Sequence, residues 1–165
     1  MMQLSSALRD VIAASVPQLH AHCRDAWAVI GSAAAALLGA DVQAADLDLL
    51  TSVADAQRLI ELWPSRLDTA YIPAGADRFR SRFARFHFPG MPLEVMGGLE
   101  LHGSDGWQAV RVNHVMHVNV AGIDVPIPVR DEQIRILESF GRAKDLARAD
   151  MLRALQQHGA PDRSS

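Results

Sequence analysis

A short apolar run, Ala26-Trp27-Ala28-Val29-Ile30, ends at Gly31-Ser32 and passes directly into an alanine-rich stretch that reaches Leu38. Apolar residues, then a Gly-Ser turn, then strong helix formers read as strand, tight turn and helix, with Gly39 as the stop. A second unit of the same kind follows. Asp46 to Thr51 alternates acid with leucine, Ser52 and Asp55 offer caps, and a helix is predicted over Ala54 to Trp63, closed by Pro64. Two strand-to-helix units in succession point to an α/β chain.

The flanking segments fit around that core. Leu8, Ile12, Val16 and Leu19 recur near helical spacing between Leu4 and Cys23, with Ser5 or Ser6 as N-cap and Pro17 as a kink or restart. From Thr69 to Val129 strands are predicted at Ala70 to Ile72, Arg78 to Phe88, Leu93 to Met96, Val110 to Val120 and Ile123 to Ile127. Turns at Gly75, Pro89-Gly90, Gly97-Gly98, Gly103 and Gly106, and Ala121-Gly122 separate them. Helices close the chain, at about Asp131 to Phe140 and Asp145 to Gln157, with Gly141 between them. The expected organisation is one domain over 1–160 and a frayed tail, Pro161 to Ser165.

The chemistry starts from Asp46 and Asp48. Residues two apart on a strand share a face and lie about 6.6 Å apart along it, so both carboxylates point one way while Leu47 and Leu49 enter the core. Like charges held side by side call for a cation, and hard oxygen ligands suit Mg²⁺ or Mn²⁺. The bland reading is a pair of solvated acids. Gly31 and Ser32 stand at a helix start, where free amides and the helix dipole favour an anion such as phosphate. Taken alone, those two residues would be a plain turn and N-cap.

The string Ile30-Gly31-Ser32, a thirteen-residue spacer, then Asp46-Leu47-Asp48-Leu49 resembles the signature of the DNA polymerase β-type nucleotidyltransferase superfamily. The resemblance implies an α/β (α+β) nucleotidyltransferase fold, with a mixed central sheet flanked by helices and with C-terminal helices. It implies two divalent ions, Mg²⁺ or Mn²⁺, and transfer of a nucleoside monophosphate from a nucleoside triphosphate to an acceptor. It also implies a third carboxylate on a later strand, best matched by Glu94 within Pro92-Leu93-Glu94-Val95-Met96. Asp46 and Asp48 would ligate the ions, and Glu94 would either ligate one or take the proton of the attacking group. A second segment, Phe140-Gly141-Arg142-Ala143-Lys144-Asp145-Leu146, is similar to one found in small bacterial nucleotidyltransferases related to abortive-infection toxins. That similarity carries Lys144 over as a phosphate contact and Asp145 as its support; the alternative is a helix stop at Gly141 and an acid in the next helix's first turn.

Arg78, Arg80 and Arg82 alternate along one predicted strand face, so Arg80 or Arg82 could clamp a triphosphate through paired N–H donors. Arg85 and His87 fall on the opposite parity, which suggests a bulge around Ser81 to Ala84. His114 and His117, three apart on a strand, face opposite ways and are read as structural.

Bulk properties limit the partners. The 165 residues are 49% hydrophobic and 21% charged, the balance of a folded chain, and the net charge of −3 offers no extended DNA-binding surface. The lone Cys23 and the lack of a signal segment suggest the cytoplasm, and the weakly charged run Ala26 to Ala40 is too short for a membrane span of about 20 residues. The nucleoside triphosphate is the expected substrate. The acceptor could be a small hydroxylated molecule, a protein or an RNA, with a homo-oligomer or partner protein completing that side. Two other classes stay open: a catalytically idle binding protein or toxin–antitoxin component, and a metal-dependent phosphohydrolase.

Overall fold

The computed structural model describes residues 4–159, so the expected tail, Pro161 to Ser165, lies outside the described residues. Helix α1 (Ser6–His22) begins at Ser5, whose hydroxyl accepts from the Leu8 amide 3.1 Å away. It runs as one helix through Pro17. Pro17 and Ala13 are both exposed, so the carbonyl that loses its partner to the proline ring faces water.

Strand β1 (Ala28–Ile30) leads into α2 (Gly31–Leu37), and β2 (Leu47–Thr51) leads into α3 (Val53–Leu62), as the two strand-to-helix units require. Ser52 caps α3 by accepting from the Asp55 amide at 3.0 Å. Then come β3 (Phe79–Phe86), β4 (Leu93–Gly103), β5 (Gly106–Ala109), β6 (Val115–Val120) and β7 (Ile123–Pro128). Helices α4 (Arg130–Phe140) and α5 (Ala143–Gly159) finish the chain, joined through Gly141 in the left-handed conformation. The central sheet has the order β1-β2-β4-β3, with β5 on the edge of β4 beyond β2. It is mixed: β2 and β4 run parallel, and the other pairs are antiparallel. Strands β6 and β7 form a separate hairpin, and β7 packs against β1 and α1.

Three expectations are corrected. Ala70 to Ile72 forms no strand; Asp68 instead accepts from the Ala70 and Tyr71 amides, each at 3.1 Å, and turns the chain locally. Val110 to Val120 is not one strand, because the buried Glu132 of α4 accepts the Asn113 amide at 2.6 Å and draws the run 110–114 out of sheet pairing. Gly97-Gly98 is no turn. It lies within β4, where α3 crosses so closely that a Cβ on Gly97 would sit 2.8 Å from the Ser52 carbonyl and 2.6 Å from the Ala56 methyl. Gly97→Ala is therefore expected to cost about 1–3 kcal/mol of stability through overpacking, read as a lower midpoint of thermal or urea unfolding.

Packing leaves one part of the sheet open. One face carries Val29, Leu47, Leu49, Leu93, Val95 and Phe86 into the main core under α1 and α3. On the other face, Ile136 and Phe140 of α4 cover only the end bearing Ile30, Leu50, Met96 and Leu99. The alanines of α2 are buried all round, Ala33 and Ala34 in the main core and Ala35 against α4 and α5. Their small size lets α2 sit tightly between sheet and C-terminal helices, which brings those helices to the uncovered part of the sheet.

Candidate active site

Strand pairing sets a row of side chains that runs from the covered end onto that open surface. Ile30 is opposite Asp48, Asp48 opposite Glu94, and Glu94 opposite Arg85. Asp46 lies just before β2, two residues from Asp48, and the intervening Leu47 and following Leu49 are fully buried, as strand alternation demands. One carboxylate oxygen each from Asp46, Asp48 and Glu94 lies within 4.8 Å of the others. Burial, followed by the neighbouring Asp46 and Glu94 carboxylates, pushes the Asp48 carboxyl well above its ordinary value near 3.8. Such a cluster is short of positive charge. Its all-oxygen donor set fits a hard divalent ion, which could be held by Asp46, Asp48 and Glu94.

Gly31 enters α2 with φ +72°, and a Cβ there would lie 2.8 Å from Asp48 Oδ2. Only glycine lets backbone and carboxylate come this close. No side chain of Ile30 caps the first amides of α2, and Ser32, almost fully buried, lines the cavity beside them. The cavity of about 600 Å³ extends from the three carboxylates to the start of α5.

The other residues that the sequence singles out part company in space. Arg80 lines the cavity, with Nε donating to Glu100 Oε1 at 2.8 Å and its guanidinium 4.3 Å above the Trp107 ring. Arg82 is not brought to the cavity. It shares the face of the buried Ala84 and Phe86 and turns towards α3, where it donates to Gln57 at 2.9 and 3.2 Å. Asp145 reaches the cavity wall but is committed elsewhere: it accepts from Arg142 Nε at 2.6 Å and from the Arg142 amide at 3.2 Å, fixing the start of α5. Lys144 lines the cavity and has no ion-pair partner among the described residues.

Two residues of the site are not evident from the sequence. Arg148 lines the cavity one turn beyond Lys144, and their i, i+4 spacing on a helix is the signal that could have found it. Arg85 donates from Nη1 to Glu94 Oε2 at 2.6 Å, and its departure from the parity of Arg78, Arg80 and Arg82 is the corresponding clue. Among the histidines, His117 pairs with Asp124 at 2.7 Å on the β6–β7 hairpin and does not line the cavity.

Comparison with family models and with curated proteins finds no match. Solved structures do match. A Thermotoga maritima protein assigned as a nucleotidyltransferase superposes with TM-score 0.68 at 21% identity, covering 89% of this chain and 91% of its own. An antigenic nucleotidyltransferase-like protein of Paracoccidioides brasiliensis matches with TM-score 0.54 at 16% identity, over 92% of this chain and 77% of that one. The lincosamide antibiotic adenylyltransferase LnuA, solved with lincomycin bound, matches with TM-score 0.57 at 12% identity, over 92% and 98% respectively. The chain has the nucleotidyltransferase fold that the motif resemblance implied. Among the described residues, no helix is long and apolar enough to cross a membrane.

Proposed function

We propose that this protein transfers a nucleoside monophosphate from a nucleoside triphosphate to a hydroxyl-bearing acceptor, with Asp46, Asp48 and Glu94 holding Mg²⁺ or Mn²⁺. The observation that carries the reading is the three-carboxylate cluster with Gly31 packed directly against Asp48. The divalent ions would neutralise phosphate charge and make pyrophosphate a better leaving group. In the reaction the acceptor oxygen bonds to the α-phosphorus as the bond to the pyrophosphate oxygen breaks, and the acceptor's proton passes to solvent or a carboxylate.

The chain's own residues supply binding and orientation. Gly31 and Ser32 line the cavity where α2 begins, and the uncapped amides there would donate to phosphate oxygens. Lys144 and Arg148 lie on one face of α5 and, unlike Arg80 and Arg142, are not committed to a carboxylate among the described residues. They are the cations best able to meet the outer phosphates. Replacing both with methionine is expected to raise the nucleotide Kd or KM about tenfold per residue, a loss of about 1.5 kcal/mol each, with kcat nearly unchanged.

Incubation with Mg²⁺ and each of four α-labelled triphosphates tests the reading. It expects pyrophosphate release and label transfer to an acceptor. Inorganic phosphate in place of pyrophosphate would indicate a phosphohydrolase, and no metal-dependent triphosphate binding by calorimetry would indicate an idle binding protein.

A further inference from the structure

Glu94 stands between two very different neighbours on the same face, Asp48 on β2 and Arg85 on β3. The Arg85 guanidinium is bound to one Glu94 oxygen at 2.6 Å, with the two side chains 24% and 13% exposed, so the contact is largely shielded from water. Arg85 is held from behind as well. Its Nε lies 3.9 Å from Asp68 Oδ2, its guanidinium stacks 4.4 Å over the Tyr71 ring, and its carbonyl accepts the Asp68 amide at 2.8 Å. Strand alternation puts Arg85 on this face: it shares the parity of Phe79, Ser81 and Phe83, which line the cavity, and is opposite in parity to Arg82, which turns towards α3.

We propose that Arg85 is the resident counter-charge of the acid cluster: it holds one oxygen of Glu94 and weakens the cluster's grip on a free divalent cation. This rests on the reading of Asp46, Asp48 and Glu94 as a metal site. A fixed unit charge next to a divalent ion lowers that ion's affinity about tenfold even at the dielectric constant of water. The cation then binds well only when phosphate oxygens of the nucleotide add to its ligands, so metal and triphosphate load together. Arg85 acts through Glu94 and is a positioning residue.

Mn²⁺ titration followed by electron paramagnetic resonance, with and without a non-hydrolysable triphosphate analogue, tests this on the parent, Arg85→Met, Arg85→Gln and Arg85→Lys. The two neutral variants are expected to bind free Mn²⁺ about tenfold more tightly than the parent. Their metal-free unfolding midpoints should fall and recover with Mn²⁺, while Arg85→Lys stays within about threefold of the parent because it keeps the charge. A merely structural rivet between β3 and β4 would leave Mn²⁺ affinity unchanged or weaker. Equal or weaker binding in a folded neutral variant overturns the proposal, as does an Arg85→Lys that binds as tightly as Arg85→Met. Absence of Mn²⁺ binding in every form, even with the triphosphate, would overturn the metal-site reading together with this one, whereas equal binding in all forms overturns Arg85's role alone.

Discussion

Replacing Asp46 and Asp48 together by asparagine is expected to lower metal-dependent nucleotidyl transfer at least about a thousandfold, since charge stabilisation by a bound metal is worth several kcal/mol. The fold should survive, because both side chains face the cavity and the core contacts belong to Leu47 and Leu49. Metal-free stability carries a second, sharper signature. The Asp48 carboxyl is raised above its ordinary value near 3.8, by burial and then by Asp46 and Glu94. The folded state therefore holds a proton that the unfolded chain has released, and stability falls as pH rises from the unfolded value through the raised folded one. In EDTA the parent's unfolding midpoint should drop over that window from this group, and Asp48→Asn should remove that part of the slope. Mg²⁺ at pH 8 should raise the parent's midpoint and leave the double variant's unchanged. A double variant that retains metal-dependent triphosphate binding would show that the chemistry lies elsewhere.

Substituting Gly31 should produce the other large effect. An alanine there would have to hold φ +72°, at a cost of about 1–2 kcal/mol, with its Cβ 2.8 Å from Asp48 Oδ2. Either the turn opens or the carboxylate moves, and each disturbs the cluster. Gly31→Ala is expected to lower stability by about 1–3 kcal/mol and to reduce transfer about a hundredfold, the order that a 1 Å misplacement of reacting groups costs. Gly97→Ala is the control, since its clash is with α3 on the far face of β4. It should lose stability while keeping triphosphate affinity, which calorimetry would separate from Gly31→Ala. If both variants bind triphosphate like the parent, the close approach of Gly31 to Asp48 has no part in the site.

Much of the site could be read along the chain because its parts are local. The Gly31-Ser32 turn, the parity that puts Asp46 and Asp48 on one face, and the helix that follows each depend on residues within one turn or one strand. Glu94 was legible only as an acid flanked by apolar neighbours. That it meets Asp48 depends on a parallel pairing between β2 and β4, whose partners are separated in sequence by α3, a loop and β3.

Local periodicity thus determined the two strand-turn-helix units, the buried leucines and the direction of the first two acids. Tertiary structure alone decided which partner each arginine meets. Alternation puts Arg82 and Arg85 on opposite faces, but it is the packing of α3 on one face and the β3–β4 register on the other that give Arg82 Gln57 and Arg85 Glu94 as partners. It also decided what Lys144 and Arg148 face, because the all-round burial of the α2 alanines draws α4 and α5 to the open part of the sheet. The physical reason is common to both. A side chain's face follows from its own strand or helix, but its neighbour across the sheet follows from register and packing, which are settled by contacts distant in sequence.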